Sequence, residues 1–207
     1  GTRAVVGAGG IDSYPAGTWT PADNGYAYVF DLETGAQLAR LTPAQGTNVT
    51  LAAPPSTGCF AFGASVAMAQ GVIVVGAPRA RSPCGSMLPA RAGAAFTFDA
   101  ATFRQTNRLL PPDAARDARF GSTVVVHVSA DDGRVVILAA APTAGAGGAV
   151  YAIGPARIDQ ELLSDASSGV GTGWATRRTA PDFGSAVRYG YALSLEPSSG
   201  LALVAAP

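Results

Sequence analysis

The sequence predicts an all-β chain assembled from repeated antiparallel sheets, and two observations carry that expectation. An aromatic–glycine pair followed by a small, apolar run closing on Ala-Pro occurs three times: Phe62-Gly63 to Ala77-Pro78, Phe120-Gly121 to Ala141-Pro142, and Tyr189-Gly190 to Ala206-Pro207. The closing prolines lie 64 and 65 residues apart, and Val5-Val6-Gly7-Ala8-Gly9 opens the chain as a partial fourth copy. Self-similarity at a fixed period of this length marks a repeat architecture. The second observation is periodicity. Apolar residues come in short unbroken runs or at every second position, and helix-formers such as those at 114–116 make too short a run to matter.

Each element follows from the alignment of the copies. Val72-Ile73-Val74-Val75 falls over Val136-Ile137-Leu138-Ala139 and Leu201-Ala202-Leu203-Val204, with Ala4-Val5-Val6 in the opening copy. Short apolar runs bounded by Gly or Pro read as strands buried on both faces. Before each lies an alternating segment, with Val66 and Met68, then Val124, Val126 and Val128, then Leu193 and Leu195 on one side, as in a half-buried strand. Third strands are read at 25–31, 93–99 and 148–153, and more polar fourth strands at 37–41 and 104–110. Polar sequence suits an outer edge.

Four antiparallel strands per unit, repeated about every 65 residues, describe the blades of a β-propeller. The reading is strands two to four of a blade at 1–41, full blades at 60–110 and 119–163, and strands one and two of another at 188–207, about three and a half blades in all. The glycine of each aromatic–glycine pair lets neighbouring backbones approach where a Cβ would collide, the aromatic covers the seam between blades, and proline ends the ladder for want of an N–H.

Phe62-Gly63-Ala64-Ser65-Val66, Val74-Val75-Gly76-Ala77-Pro78 and Gly25-Tyr26-Ala27-Tyr28-Val29-Phe30-Asp31 together resemble the FG-GAP repeat of integrin α-subunit propellers and of many extracellular bacterial and algal proteins. The resemblance covers nearly the whole chain and implies a ring of usually seven blades, of which this sequence is a part. The last two copies write Ala-Ala-Pro for Gly-Ala-Pro. Many members bind calcium in the turn between strands one and two. Here the matching turn, 128–136, keeps Asp132-Gly133 but puts Val128, Ala130 and Val136 where oxygen ligands belong. Calcium takes six to eight oxygens, so calcium is not expected, no other cofactor is implied, and Asp131-Asp132-Gly133 reads as a hairpin turn.

Composition narrows the function. With 48% hydrophobic and 14% charged residues the 207-residue chain is globular. Fourteen Lys/Arg residues, every one arginine, balance fourteen acids. With no basic excess, a nucleic-acid partner is not expected. The longest apolar run, 135–141, falls far short of the roughly 18 residues of a spanning helix, so this segment is not expected to insert in a membrane. Starting at Gly1, the chain reads as a processed or partial product of a longer protein.

Cys59 precedes the first strand of its blade and Cys84 follows the second, which places them at one end of the blade. A disulfide there is geometrically reasonable and would add about 3 kcal/mol; two reduced neighbours are the alternative. Asn48-Val49-Thr50 is a glycosylation sequon in a loop. Both features point to an extracellular or cell-surface protein. Long connections at 9–24, 42–57, 79–92 and 164–181 emerge on one face, and long loops carry function. Trp19, Trp174, Arg79, Arg81, Arg177 and Arg178 fall on it, residue types favoured as interface anchors; the plainer reading pins the tryptophans under their own loops and leaves the arginines solvated. Catalysis has little to work with. His127, the single histidine, sits inside a strand between valines, and the loop acids show no pairing pattern. The expected role is a structural or adhesion module making protein–protein contacts or assembling a surface structure, not an enzyme. The alternatives are a glycan binder stacking sugars on tryptophan, or the non-catalytic propeller of a secreted hydrolase.

Overall fold

The computed structural model describes residues 2–9, 25–43, 61–80, 91–129, 133–145, 147–157, 175–179, 188–196 and 201–205. Among these the chain is all-β, with thirteen strands in four antiparallel sheets and no helix. No helix of the described residues is long and apolar enough to cross a membrane. The first sheet runs β1 (Arg3–Ala8), β2 (Tyr26–Asp31), β3 (Gln37–Leu41). The second runs β4 (Ser65–Ala69), β5 (Val72–Ala77), β6 (Ala94–Asp99), β7 (Gln105–Leu109). In the third, β8 (Val124–Val128), β9 (Arg134–Ala141), β10 (Ala149–Arg157) and β11 (Ala175–Arg178) lie side by side in chain order. The fourth is the hairpin of β12 (Ala192–Glu196) and β13 (Leu201–Ala205).

The outer strand of the third sheet, β11, lies past residue 163, where the sequence reading ends that unit. Ala-Thr-Arg-Arg is short and has no apolar alternation, so nothing in its own pattern marks it; pairing with the buried β10 through Val150↔Arg178 and Tyr151↔Arg177 makes it a strand.

Successive sheets stack face to face, and a separate hydrophobic cluster fills each seam. Between the first two sheets, Ala27, Val29 and Leu41 meet Phe62, Ile73, Val75, Phe96 and Phe98. Val74, Ala95 and Leu109 meet Phe120, Val124, Ile137, Ala139 and Tyr151 across the second seam. In the third, Leu138, Ala140 and Val150 carry Tyr189, Leu193, Leu195 and Val204. Strand β5 thus sends Ile73 and Val75 to one neighbour and Val74 to the other, the both-face burial that its unbroken apolar run requires. The end sheets depart from that expectation. Val6 of β1 is 48% exposed and Leu203 of β13 is 73% exposed, because among the described residues no sheet packs on their outer faces.

Each aromatic of an aromatic–glycine pair fills a seam. The Phe62 ring meets Phe96 and Phe98 edge-on, with centroids 5.5 and 6.0 Å away, and Phe120 meets Tyr151 at 5.3 Å. The glycine works through the backbone. A Cβ on Gly63 would strike the carbonyl oxygen of Tyr26, and one on Gly121 that of Ala94, the equivalent atom one unit later. Reciprocally, a Cβ on Gly7 would strike the Gly63 carbonyl and one on Gly76 the Gly121 carbonyl. The third seam is built differently. Ala140 replaces glycine there, and a Cβ on Gly190 would lie 3.0 Å from the Ala140 methyl, so that seam accommodates one methyl. Hydroxyls add ties: Ser65 Oγ donates to the Gly121 carbonyl at 2.8 Å and Thr123 Oγ1 to that of Tyr191 at 3.1 Å.

The turn between third and outer strands is also repeated. The Asp99 carboxylate accepts from Ala101 N, Thr102 N and Thr102 Oγ1 at 3.1, 2.6 and 2.7 Å, and Asp31 accepts from Glu33 and Thr34 in the same way. The Thr102 amide, then its hydroxyl, hold the Asp99 carboxyl below its ordinary value. A carboxyl depressed by folding stabilises above its unfolded pKa and loses that contribution as pH falls through the folded value. In thermal melts, the advantage of the wild-type chain over Asp99→Ala is therefore expected in full at pH 7 and to shrink below about pH 4. The group faces solvent, and screening keeps the effect below about 1 kcal/mol.

Candidate functional site

The ends of β1, β5 and β9 and the starts of β4 and β8 lie at one end of the stack, where Gly7 meets Gly63 and Gly76 meets Gly121. A cleft of about 500 Å³ opens there, between the end of β1, the turn before β4, the turn after β5 and the turn before β8. Gly7, Gly9 and Gly63 contribute only main chain to its wall, while Arg79, Arg119 and Ser122 bring the polar side chains. The absence of side chains on the glycines is a consequence of seam packing, since Gly7 and Gly63 are where the first two sheets touch. Seam geometry has therefore produced a polar, backbone-walled hollow.

Three arginines dominate its electrostatics. Arg79, half-buried after β5, has its guanidinium pushed below the ordinary value by burial first, then by the like charges of Arg119 and Arg91. Arginine remains protonated through any accessible pH, so the depression reports burial first and the neighbouring positive charges second, and not a titration. Arg91 and Arg119 are joined through the main chain, the Arg119 amide donating to the Arg91 carbonyl at 3.2 Å. Asp117 offsets part of the charge through an ion pair with Arg91 at 3.7 Å, both side chains being about half exposed (60 and 49%). Ala61, Arg91, Asp117 and Arg119 all have left-handed backbones, with φ between 54° and 60°. Non-glycine residues adopt this conformation at a cost of roughly 1 kcal/mol or more each. At Arg91 and Arg119 the conformation sits where the chain bridges from the second sheet to the third, at Gly93↔Phe120.

Of the ligand-face residues expected from sequence, Arg79 lines the cleft. Arg177 and Arg178 were expected in a loop at 164–181; they are instead the last residues of strand β11. Opposite Tyr151 and Val150, they fall near the same end of the third sheet but on its outer edge. Arg178 is exposed. Trp19, Trp174, Arg81, the Asn48 sequon and the Cys59–Cys84 pair lie outside the described residues. His127 is half-buried in β8, opposite Val136. The turn at 128–136 is closed by Ser129 N donating to the Arg134 carbonyl at 2.8 Å and Gly133 N to that of Ser129 at 3.0 Å; residues 130–132 lie outside the described set.

Sequence reasoning passed over Arg91 and Arg119. A signal for Arg119 existed: it immediately precedes an aromatic–glycine pair, at the position of Ala61 in the previous copy and Arg188 in the next. Arg91 sits at the end of the same long connection that carries Arg79, and its main-chain bond with Arg119 ties it to the connection before β8. No protein-family model and no curated protein matches this chain.

Proposed function

We propose that this chain is part of an extracellular FG-GAP-like β-propeller serving as a structural or adhesion module, which makes protein–protein contacts through the end of the sheets where the long connections emerge. One observation carries the reading. The same seam, built from an aromatic ring, a glycine against the preceding sheet's third strand and a small residue ending the second strand, recurs between successive sheets. Seams repeated in one sense rotate each sheet from the last by a similar step, and that is how blades come to surround an axis. The resulting scaffold is rigid, electrically neutral overall, and presents its polar groups at the loop end. The proposal assigns it no catalytic step.

The reading is tested on the cells that make the protein. An antibody to this chain should stain them unpermeabilised, and cross-linking on the intact surface should join the chain to a partner protein. Staining only after permeabilisation would remove the extracellular reading, and an uncross-linked chain would remove the contact reading.

A further inference from the structure

Every seam among the described residues joins unlike faces. The first, second and third sheets each turn one face forward, carrying Val5, Val74 and Leu138, onto the rear face of the next, carrying Val75, Ala139 and Val204. Two faces are left over, the rear of the first sheet and the front of the fourth. They bear the same positions of the repeat, Val6 being the counterpart of Val75 and Ala139, and Leu203 that of Val74 and Leu138. The four inner counterparts are buried, whereas Val6 and Leu203 are exposed. The rear of the first sheet is also strongly aromatic. Ala27 and Val29 point into the first seam, so alternation puts Tyr26, Tyr28 and Phe30 on the opposite face. Tyr28 and Phe30 correspond to Phe96 and Phe98, the two rings that Phe62 meets edge-on. Tyr26 stands where the inner sheets have the buried alanines Ala94 and Ala149. The three rings run in a row at centroid spacings of 6.2 and 6.4 Å, with Val6 as the cross-strand partner of Tyr28.

We infer that the chain associates head to tail with a second copy of itself. The front of one copy's fourth sheet, with Leu203 and Ala205, seats on the rear of the next copy's first sheet, with Val6, Tyr26, Tyr28 and Phe30. The inference rests on the reading above that the sheets follow one another through a repeated seam, and it names the partner of an assembling module. A second copy is favoured over an unrelated protein because the two open faces are the two halves of one contact, which the chain already makes three times. Both halves are apolar at their exposed positions, and removing such surface from water drives association. Tyr26 supplies the rear face with a third ring beside Tyr28, as Phe62 does beside Phe96 in the first seam. Each copy uses two different patches, so the contact is heterologous and leads to a closed ring or a filament.

Sedimentation velocity of the intact protein from about 1 to 100 µM, the range of a modest interface, decides the matter. Mass is expected to rise with concentration in steps of one chain. Leu203→Asp and Val6→Asp each place a carboxylate in the contact and are expected to weaken association at least about tenfold. Mixed together, the two variants keep one intact face of each kind, and they should form a complex of two copies and no larger. Leu32→Asp, at an exposed position in the turn after β2, should associate as the wild type does. Val6 and Leu203 are exposed in the single chain, so circular dichroism spectra should be unaltered; Val6→Ser or Leu203→Ser, with the same expectation, replaces any variant whose spectrum changes. A protein that stays single at every concentration overturns the inference. So does association that both variants leave unchanged, since another surface then carries it or other sheets of the polypeptide cover these faces. Variants that do not recombine on mixing overturn the head-to-tail geometry and the inference with it. If self-association fails while surface cross-linking to a different protein persists, this inference falls and the contact function stands.

Discussion

Gly121→Ala is expected to destabilise the protein by about 3 kcal/mol, far more than a single methyl costs at most surface sites. Two effects combine. Gly121 has φ of +83°, a conformation that L side chains rarely adopt. The added Cβ would also meet main-chain atoms, the carbonyl of Ala94 first and the Ala77 amide at 3.3 Å, which no rotamer change can move aside. The Gly121 carbonyl accepts from Ser65 Oγ and lies against Gly76, so displacing this residue disturbs the seam from both sheets. Gly35→Ala separates the two effects. Its φ is +70°, but nothing lies within 4 Å of an added Cβ, and it is expected to cost about 1 kcal/mol from conformation alone. Urea denaturation of the two variants checks the difference. Equal losses would show that the close approach across the second seam is not what glycine serves there.

The second large effect is expected from Phe120→Ala, at about 3–5 kcal/mol. The side chain is fully buried, stands edge-on to Tyr151 at 71°, and touches a cluster contributed by both the second and third sheets. Truncation would leave a void in a seam whose walls are hydrogen-bonded sheets, which collapse poorly into a cavity. It would also strip the apolar cover from Tyr151, whose hydroxyl donates to Asp113 Oδ1 at 2.7 Å in the connection between the two sheets. Tyr191→Ala, two residues beyond the third aromatic–glycine pair's tyrosine and 59% exposed, should stay within about 0.5 kcal/mol. A Phe120→Ala loss as small as that control would mean the aromatic does not hold the sheets together.

Much of the architecture was readable in the chain. Every inner and third strand lies where alternation or an apolar run put it, because side-chain burial on a pleated sheet has a period of two and leaves that period in the sequence. The aromatic–glycine pair and the Gly-Ala or Ala-Ala dipeptide at the end of the second strand pointed to close packing, and the seams show which backbone atoms they approach. Strand β11 was not readable, since its pairing with β10 and not its own composition makes it extended. The arginine cleft was readable only at Arg79; Arg91 ends the same connection, and Arg119, from the connection between β7 and β8, is brought to them by the stacking of sheets.

Local chemistry along the chain is enough to specify the strands other than β11, the turns closed by Asp31 and Asp99, and the repeat that makes successive sheets alike. These depend on residues a few positions apart, whose preferences act before any distant contact forms. The partners across each seam, the exposed outer faces of β1 and β13 and the gathering of Arg79, Arg91 and Arg119 depend on residues dozens of positions apart. Only the packed sheets set those distances, and charge, burial and close contact all follow from distance in space.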